Sequence, residues 1–175
     1  MRWSPIGVLL AFGCALGSLP GCSERAEPSP SNEPAESAPP EIARPYEEGV
    51  DAQAQIDAAV ARSRDDGKRV LLVFGANWCP WCRRLEHTLR NDEGVAGDLR
   101  DGFRVVHVDV GARGSDVNRQ VAARYGDPLS NGLPCIVVLD REGEVAHVQE
   151  TGSLESGDRH DPALVRAFLA RWRAG

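Results

Sequence analysis

The chain of 175 residues is long enough for one folded domain with additional terminal segments. Its 26 acidic residues outnumber its 20 lysines and arginines, and the net charge of −6, with no dense basic cluster, argues against a nucleic-acid partner. Beyond the N-terminus, no stretch is long and apolar enough to predict a membrane-spanning helix.

Residues 1–21 are predicted to be a lipoprotein-type signal peptide. Arg2 supplies a short positive region, and residues 6–19 are apolar but too few for a transmembrane helix. The apolar run ends in Leu-Pro-Gly-Cys, which resembles the bacterial lipobox, and the resemblance implies that Cys22 is lipidated. The alternative is an ordinary secretory signal followed by a fortuitous cysteine. Both interpretations predict export to a compartment where disulfides persist.

Residues 22–45 are predicted to be a disordered tether. They are rich in Pro, Ser, Glu and Ala and contain almost no large apolar residue, so they cannot bury a hydrophobic core. After a lipidated cysteine, such a tether would let a folded domain stand away from the membrane surface. The folded domain is expected to comprise residues 46–175 and to begin near Tyr46.

Within that domain, apolar periodicity and turn residues predict alternating helices and strands. In chain order they are a helix at 51–66, a strand at 69–75, a helix after Cys79, a weaker helical stretch at 91–100, a strand at 103–110, a helix at 115–125 with Ser115 as its N-cap, strands at 134–139 and 144–149, and a helix from Pro162 onwards. Strands separated by helices imply parallel pairing, whereas the turn at 140–143 implies an antiparallel hairpin. The predicted class is therefore α/β, with a central mixed β-sheet flanked by helices.

Two cysteines lie where the first strand gives way to a helix, in the sequence Trp78-Cys79-Pro80-Trp81-Cys82. The unpaired N–H groups and the dipole of a helix N-terminus stabilise a thiolate, so the pKa of Cys79 should fall below that of a free cysteine. Cys82 is close enough to close a small disulfide and to act as the resolving thiol. Pro80 suits a first helical turn because it lacks an N–H and has a fixed φ. The spacing and its context favour a redox dithiol.

A Cys-x-x-Cys pair has two other interpretations. It can be half of a structural zinc site, but such a site usually needs four ligands, and often a second such pair. No second pair exists in the sequence, where His87, His107 and Cys135 are scattered single candidates. The pair can also be an inert structural disulfide. We expect no metal and no organic cofactor.

The order of the elements, with a Cys-x-x-Cys pair after the first strand of the domain, resembles the thioredoxin fold. Residues 78–82 match the Trp-Cys-x-x-Cys of the thioredoxin family, and residues 132–134 match its cis-proline loop. Residues 142–145, followed by Thr151 and Gly152, resemble the last hairpin of that family. The resemblance covers essentially the whole predicted domain.

The resemblance to the thioredoxin family implies a thiol–disulfide oxidoreductase in which Cys79 is the nucleophile and Cys82 resolves the mixed disulfide. It also implies a cis bond between Leu133 and Pro134, facing the dithiol, at a loop that pairs with an extended segment of the partner protein. The residues expected to bind the partner are Trp78, Pro80, Trp81, Leu133 and Pro134. For Trp81, the alternative is simple exposure to solvent.

The chain departs from ordinary thioredoxins near the dithiol. Thioredoxins carry a buried aspartate six residues before the first cysteine, where this chain has Val73, and their buried lysine corresponds to His107. Cys135 follows the cis-proline position, where thioredoxins usually have threonine. It is either a small buried packing residue or a third thiol able to exchange with the pair.

Glu86 is a candidate acceptor for the proton of the resolving thiol. It lies four residues after Cys82 and therefore on the same helix face. Periplasmic reductase domains with a thioredoxin fold have a glutamate at the matching position. Alternatively, Glu86 is a solvated residue of the helix surface paired with Arg83 or Arg90.

These observations predict an exported, periplasmic thiol–disulfide oxidoreductase anchored to a membrane through lipid at Cys22. Its expected partners are disulfide- or dithiol-containing proteins of the cell envelope and a membrane redox partner that recharges it. The protein is expected to be a monomer. Two alternatives from other classes stay open: a thioredoxin-fold carrier of copper or zinc, and a non-catalytic docking module.

Overall fold

β1 (Arg69–Gly75) is the central strand of the domain, and six of its seven residues are buried. In the computed structural model, which describes residues 44–173, β1 pairs in parallel with β2 (Phe103–Asp109) and antiparallel with β3 (Cys135–Leu139). β4 (Val145–Gln149) pairs antiparallel with β3, which gives the order β2-β1-β3-β4. The predicted mixed sheet is thus confirmed. A strand covered on both faces needs apolar residues at successive positions, which explains the continuous apolar run of β1.

Within the described part of the chain, five α-helices flank the sheet. They are α1 (Ala52–Asp66), α2 (Pro80–Asn91), α3 (Glu93–Gly102), α4 (Arg119–Arg124) and α5 (Pro162–Trp172). Three of them follow an aspartate whose side chain accepts a hydrogen bond from a backbone N–H of the first turn, namely Asp51, Asp92 and Asp161. Such N-caps satisfy donors that have no partner within the helix, and so they fix where each helix begins.

Alternate residues of β1 contribute to opposite faces of the sheet. Val70, Leu72 and Phe74 lie in the core that α1 and α4 help to form, whereas Leu71 and Val73 lie in the core formed with α2, α3 and α5. Helices therefore cover both faces. The loop that leads to Cys79 and to the start of α2 leaves the sheet at the carboxyl end of its central strand. This arrangement is the thioredoxin fold that the sequence predicts.

The predicted helix at 115–125 is wrong in its N-terminal half. α4 begins at Arg119, after Asn118, whose φ of 54° is left-handed. The Asn118 side chain donates a hydrogen bond of 2.8 Å to the backbone oxygen of Asp109. The Ser115 hydroxyl accepts a backbone N–H two residues later within the loop, instead of capping a helix. Hydrogen bonds from Asn and Ser side chains thus stabilise a loop here in place of helical turns.

Some short elements leave no periodic signal in the sequence. They are a 3₁₀ turn at Pro128–Asn131 and a hairpin of β5 (Glu155–Ser156) with β6 (Arg159–His160). The predicted signal peptide, the tether and Cys22 lie outside the described residues. Within residues 44–173, no helix combines the length and the apolarity needed to cross a membrane.

Replacing Asp161 by alanine should lower the free energy of unfolding by about 1 kcal/mol, because the backbone N–H groups of Ala163 and Leu164 lose their acceptor. Urea unfolding followed by circular dichroism measures the change. Asp158→Ala, at an exposed residue of the β5–β6 turn, is the control and should change the free energy by less than about 0.5 kcal/mol. Equal effects of the two substitutions would contradict the capping role.

Candidate active site

The loop between β1 and α2 places both cysteines of the motif at one end of a helix. α2 begins at Pro80, and Cys79 occupies its N-cap position, where its Sγ accepts a hydrogen bond of 3.2 Å from the N–H of Cys82. Proline fits the first helical position because it has no N–H to leave unpaired. The Cys79 sulfur thus lies at the positive end of the helix dipole, which favours a thiolate.

Cys79 and Cys82 form a disulfide, with their Cα atoms 5.2 Å apart. Their exposure differs, because Cys79 retains 5% of its accessible surface and Cys82 retains none. An incoming sulfur can therefore approach Cys79 in preference to Cys82. This asymmetry suits a pair in which one thiol attacks a partner and the other resolves the mixed disulfide.

Tyr46, Cys79 and Cys82 form a small buried cluster, called here the sulfur cluster. Trp81 and Leu133, two of the residues predicted to bind the partner, pack against it. A partner sulfur that approaches Cys79 would therefore meet these two side chains. The interpretation of Trp81 as a simply exposed residue is wrong, since its ring is half-buried.

The surface around the dithiol is cationic as well as aromatic. The indole N–H of Trp78 donates a hydrogen bond of 2.7 Å to the backbone oxygen of Gly111. The guanidinium of Arg113 lies 4.1 Å from the centroid of the Trp78 ring, and that of Arg84 lies 4.7 Å from the centroid of the Trp81 ring. Each tryptophan therefore has an arginine stacked on it, an arrangement stabilised by the cation–π interaction.

The Leu133–Pro134 peptide bond is cis, as the resemblance to the thioredoxin family implies. The preceding Gly132 has a φ of 97°, which glycine adopts without steric cost. The carbonyl oxygen of Pro134 accepts a hydrogen bond of 3.3 Å from the hydroxyl of Thr151. This loop runs into β3 and holds Leu133 against the sulfur cluster.

Glu86 lies on α2 one turn after Cys82 and is only 3% exposed. Its Oε2 is 2.8 Å from Nε2 of His107, and its Oε1 accepts a hydrogen bond from Arg90 Nε. Burial alone would raise the pKa of Glu86, but the hydrogen bonds and charges of His107 and Arg90 outweigh burial and hold that pKa below its usual value. The pairing with Arg90 is present, but the interpretation of Glu86 as a solvated surface residue is wrong.

His107 lies opposite Val73 in the register of β1 and β2. Val73 is buried in the same core as Leu85 of α2, so at this position β1 contributes packing and no ionisable group. The ionisable groups next to this position are His107 of β2 and Glu86 of α2, which contacts His107. They form one contact pair.

Tyr46 is a candidate residue that the sequence analysis misses. It lies in the segment before α1, and among residues 44–173 its buried hydroxyl has no hydrogen-bond partner. The Asn77 side chain accepts a hydrogen bond of 3.3 Å from the N–H of Tyr46 and donates one of 2.7 Å to its C=O. The signal in the sequence is weak: Tyr46 is the first aromatic residue after the Pro/Ser/Glu-rich segment.

Cys135 is the first residue of β3 and is fully enclosed. Its Sγ lies 3.0 Å from the backbone oxygen of Pro128 and also contacts that of Gly132. Burial raises the pKa of Cys135 to about 11. Little thiolate forms near neutral pH at such a pKa, so the structure favours a buried packing residue over a third exchanging thiol.

The other single metal-ligand candidates do not join the dithiol. His87 is exposed on α2, and His107 contacts Glu86. Throughout the described range, no three His, Cys, Asp or Glu side chains lie close enough together to hold a metal ion.

A family model described as thioredoxin-like matches residues 51–141, and the chain belongs to this family. It is 30% identical over 126 residues to the thiol:disulfide interchange protein DsbD 2 of Pseudomonas aeruginosa, a match that covers 71% of this chain and 19% of the relative. The protein named DsbD from Ralstonia nicotianae is 29% identical over 119 residues, covering 68% of this chain and 19% of that relative. The chain thus spans about a fifth of the length of these curated relatives.

Solved structures also include similar proteins. The disulphide isomerase from Xylella fastidiosa gives a TM-score of 0.67 at 35% identity, and the match covers 74% of this chain and 97% of that one. The C-terminal domain of DsbD from Neisseria meningitidis, in its oxidised form, gives a TM-score of 0.50 at 20% identity, covering 71% of this chain and 97% of that one. The second similarity concerns the fold alone.

Replacing Glu86 by glutamine should make the stability of the protein less sensitive to acid. The folded state holds the pKa of Glu86 below the ordinary value of about 4.3, so the ionised carboxylate stabilises the fold fully above that pH. This contribution is lost as the pH falls through the lower, folded-state pKa. A pKa lowered by one unit corresponds to about 1.4 kcal/mol.

The measurement is urea unfolding of the wild type and of Glu86→Gln at pH 7 and at pH 3. The free energy of unfolding should fall less between these two pH values in the variant. Glu144→Gln, at an exposed residue of the β3–β4 turn, serves as the control and should behave as the wild type does. An unchanged pH dependence in Glu86→Gln would contradict the assignment of an ionised carboxylate stabilised by His107 and Arg90.

Proposed function

We propose that the protein is a thiol–disulfide oxidoreductase that exchanges disulfides with other exported proteins. The observation that carries the proposal is the Cys79–Cys82 disulfide at the N-terminus of α2, in which Cys79 retains 5% of its accessible surface and Cys82 retains none. The relatives named for thiol:disulfide interchange and for disulphide isomerisation support this reaction class.

The first step is an attack by the outer cysteine. In the reduced protein, the Cys79 thiolate attacks one sulfur of a partner disulfide and forms a mixed disulfide with it. The other sulfur of the partner leaves as a thiolate and takes up a proton. The position of Cys79 at the N-cap of α2 favours this step, because the helix terminus stabilises the attacking thiolate.

The second step releases the partner. The Cys82 thiol loses its proton and attacks Cys79 Sγ, so the bond between Cys79 and the partner breaks and the partner sulfur leaves as a thiolate. Glu86, one turn along α2, is the proposed proton acceptor, and it is ionised because His107 and Arg90 hold its pKa below the usual value, which also makes it a weaker base. The partner gains two electrons and the cysteine pair loses them. In the reverse direction, the oxidised pair accepts two electrons from a partner dithiol.

The proposed partner-binding surface consists of the five residues predicted from the sequence. Trp81 and Leu133 pack on the sulfur cluster, Pro80 lies between the cysteines, and Trp78 and Pro134 lie in the two loops on either side. An extended segment of the partner would pair with the backbone at Leu133, by strand addition. This geometry would bring a partner cysteine towards Cys79.

The proposed setting is the periplasm. The lipobox-like sequence around Cys22 supports anchoring to a membrane through lipid. The Pro/Ser/Glu-rich tether would then let the folded domain stand away from the membrane surface. Its proposed partners are disulfide- or dithiol-containing proteins of the cell envelope. A membrane redox protein is the proposed partner that returns Cys79 and Cys82 to their starting redox state after each reaction.

A trapping experiment tests the order of the two steps. Cys82→Ser keeps the attacking thiol and removes the resolving one, so it should accumulate mixed disulfides with envelope proteins that dithiothreitol releases. Cys79→Ser should form none above background, because the remaining Cys82 is buried. Adducts are counted by non-reducing electrophoresis and mass spectrometry, and turnover of both variants on a model disulfide should fall to background.

Adding Cys135→Ser to Cys82→Ser is the matched control, since it removes the other thiol of the domain. The double variant should trap as much as Cys82→Ser does. Absence of adducts with Cys82→Ser would argue for a non-catalytic docking module. Stoichiometric binding of copper or zinc by the reduced wild type, in competition with a chelator, would argue for a metal carrier.

A further inference from the structure

Among residues 44–173 of the oxidised protein, the hydroxyl of Tyr46 is a buried polar group without a hydrogen-bond partner. Tyr46 is only 2% exposed, and nothing in the described part of the chain forms a hydrogen bond with its hydroxyl oxygen. Burying a hydroxyl without a hydrogen bond is unfavourable. A residue retained at such a site is explained if another state of the protein supplies the missing partner.

The hydroxyl lies beside the buried sulfur. A Cβ atom placed on Gly75 would lie 2.8 Å from Cys82 Sγ and even closer to the Tyr46 hydroxyl oxygen. The hydroxyl and the sulfur thus both lie against the backbone of Gly75, where a Cβ atom would clash with both of them. A disulfide sulfur is a weak, uncharged acceptor, whereas a thiolate accepts strong, charge-assisted hydrogen bonds.

The position of Tyr46 is fixed from two sides. Both backbone groups of Tyr46 are hydrogen-bonded by the side chain of Asn77, which lies two residues before Cys79 in the motif loop. The ring of Tyr46 meets that of His107 edge-on, with the centroids 5.5 Å apart. The hydroxyl is therefore held in place by the same loop that carries the dithiol.

The surroundings keep the hydroxyl protonated. Burial raises the pKa of Tyr46 above its ordinary value, and Glu86, Cys135 and Asp109 act in the same direction. These three groups belong to α2, β3 and β2. These influences favour the protonated hydroxyl, which can donate a hydrogen bond.

We propose that the Tyr46 hydroxyl donates a hydrogen bond to the Cys82 sulfur once the disulfide is opened, and so stabilises the thiolate of the resolving step. This inference rests on the exchange reaction proposed above. In that step Glu86 takes the proton of Cys82, the Cys79–Cys82 bond forms, and the partner sulfur leaves with the electron pair of the broken bond. Tyr46 gains and loses no proton; its hydrogen bond replaces water around a sulfur that has no solvent contact.

A hydrogen bond present only in the open state has two measurable consequences. It lowers the pKa of Cys82, because it favours the thiolate over the thiol. It also stabilises the reduced protein relative to the disulfide, and so makes the reduction potential less negative. Tyr46→Phe keeps the ring and removes only the hydroxyl, and should reverse both effects.

The first experiment measures the reduction potential by equilibration with glutathione. In Tyr46→Phe, the equilibrium constant for reduction should fall by about tenfold, which makes the potential about 30 mV more negative. The second measures the pKa of Cys82 in a Cys79→Ser background by NMR, from the pH dependence of the ¹³Cβ chemical shift of Cys82, which requires no reagent to reach the buried sulfur. The pKa of Cys82 should rise when Tyr46→Phe is added.

Tyr125→Phe is the matched control. Tyr125 is also buried, but it lies in the core on the α1 side of the sheet, where its hydroxyl accepts a hydrogen bond of 2.9 Å from Gln53. Removal of the Tyr125 hydroxyl should leave the equilibrium constant for reduction within about twofold of the wild-type value. Asn77→Ala keeps the Tyr46 hydroxyl but removes the two hydrogen bonds that hold its backbone, and should shift the potential in the same direction as Tyr46→Phe.

The outcomes separate this inference from the proposed function. If Tyr46→Phe and Asn77→Ala both match the wild type in potential and in the pKa of Cys82, the inference is wrong and the exchange reaction stands. If the Cys79–Cys82 pair shows no reversible oxidation and reduction in the wild type and in Tyr125→Phe, the proposed exchange reaction itself is wrong. Should Tyr46→Phe fail to fold, the potential of Asn77→Ala decides the question.

Discussion

The junction between β1 and α2 is the constraint on which the rest of the structure depends. The strand ends at Gly75 and the helix begins at Pro80, which leaves the Cys79 sulfur at the N-cap. The donors that a helix leaves unpaired at this end are the groups that stabilise a thiolate. Apolar residues of β1 and α2 pack into the cores on the two faces of the sheet and hold the junction in place. Packing of the domain therefore determines the chemistry of the sulfur.

Burying the second sulfur creates a need for polar groups around it. A thiolate at Cys82 has no contact with water, and Val73, opposite His107 in the sheet, carries no charge. The polar groups come instead from three separate parts of the chain: Glu86 from α2, His107 from β2 and Tyr46 from the segment before α1. A charged carboxylate is tolerated at this depth because two cationic or hydrogen-bonding partners accompany it.

The sequence predicts those features of the site that neighbouring residues determine, and it does not predict those that depend on tertiary contacts. The dithiol follows from a motif of five residues. The placement of Glu86 on the same helix face as Cys82 follows from the helical period. Its contact with His107 depends on the register between β1 and β2, which is a tertiary property that no single stretch encodes. Tyr46 lies in a segment without periodicity, and its role depends on packing against Gly75. The start of α4 was missed for a local reason, because the Asn118 side chain competes with the helix for hydrogen bonds.

Whether Cys79 and Cys82 cycle is tested most directly by the reduction potential of the pair. The protein would be equilibrated in glutathione and dithiothreitol buffers of defined ratio, and the oxidised fraction measured by thiol labelling. A redox-active pair should show one reversible two-electron transition between about −270 and about −120 mV, the range spanned by thioredoxin and by strong disulfide oxidants. A pair that stays oxidised below about −300 mV, as structural disulfides do, would contradict the assignment.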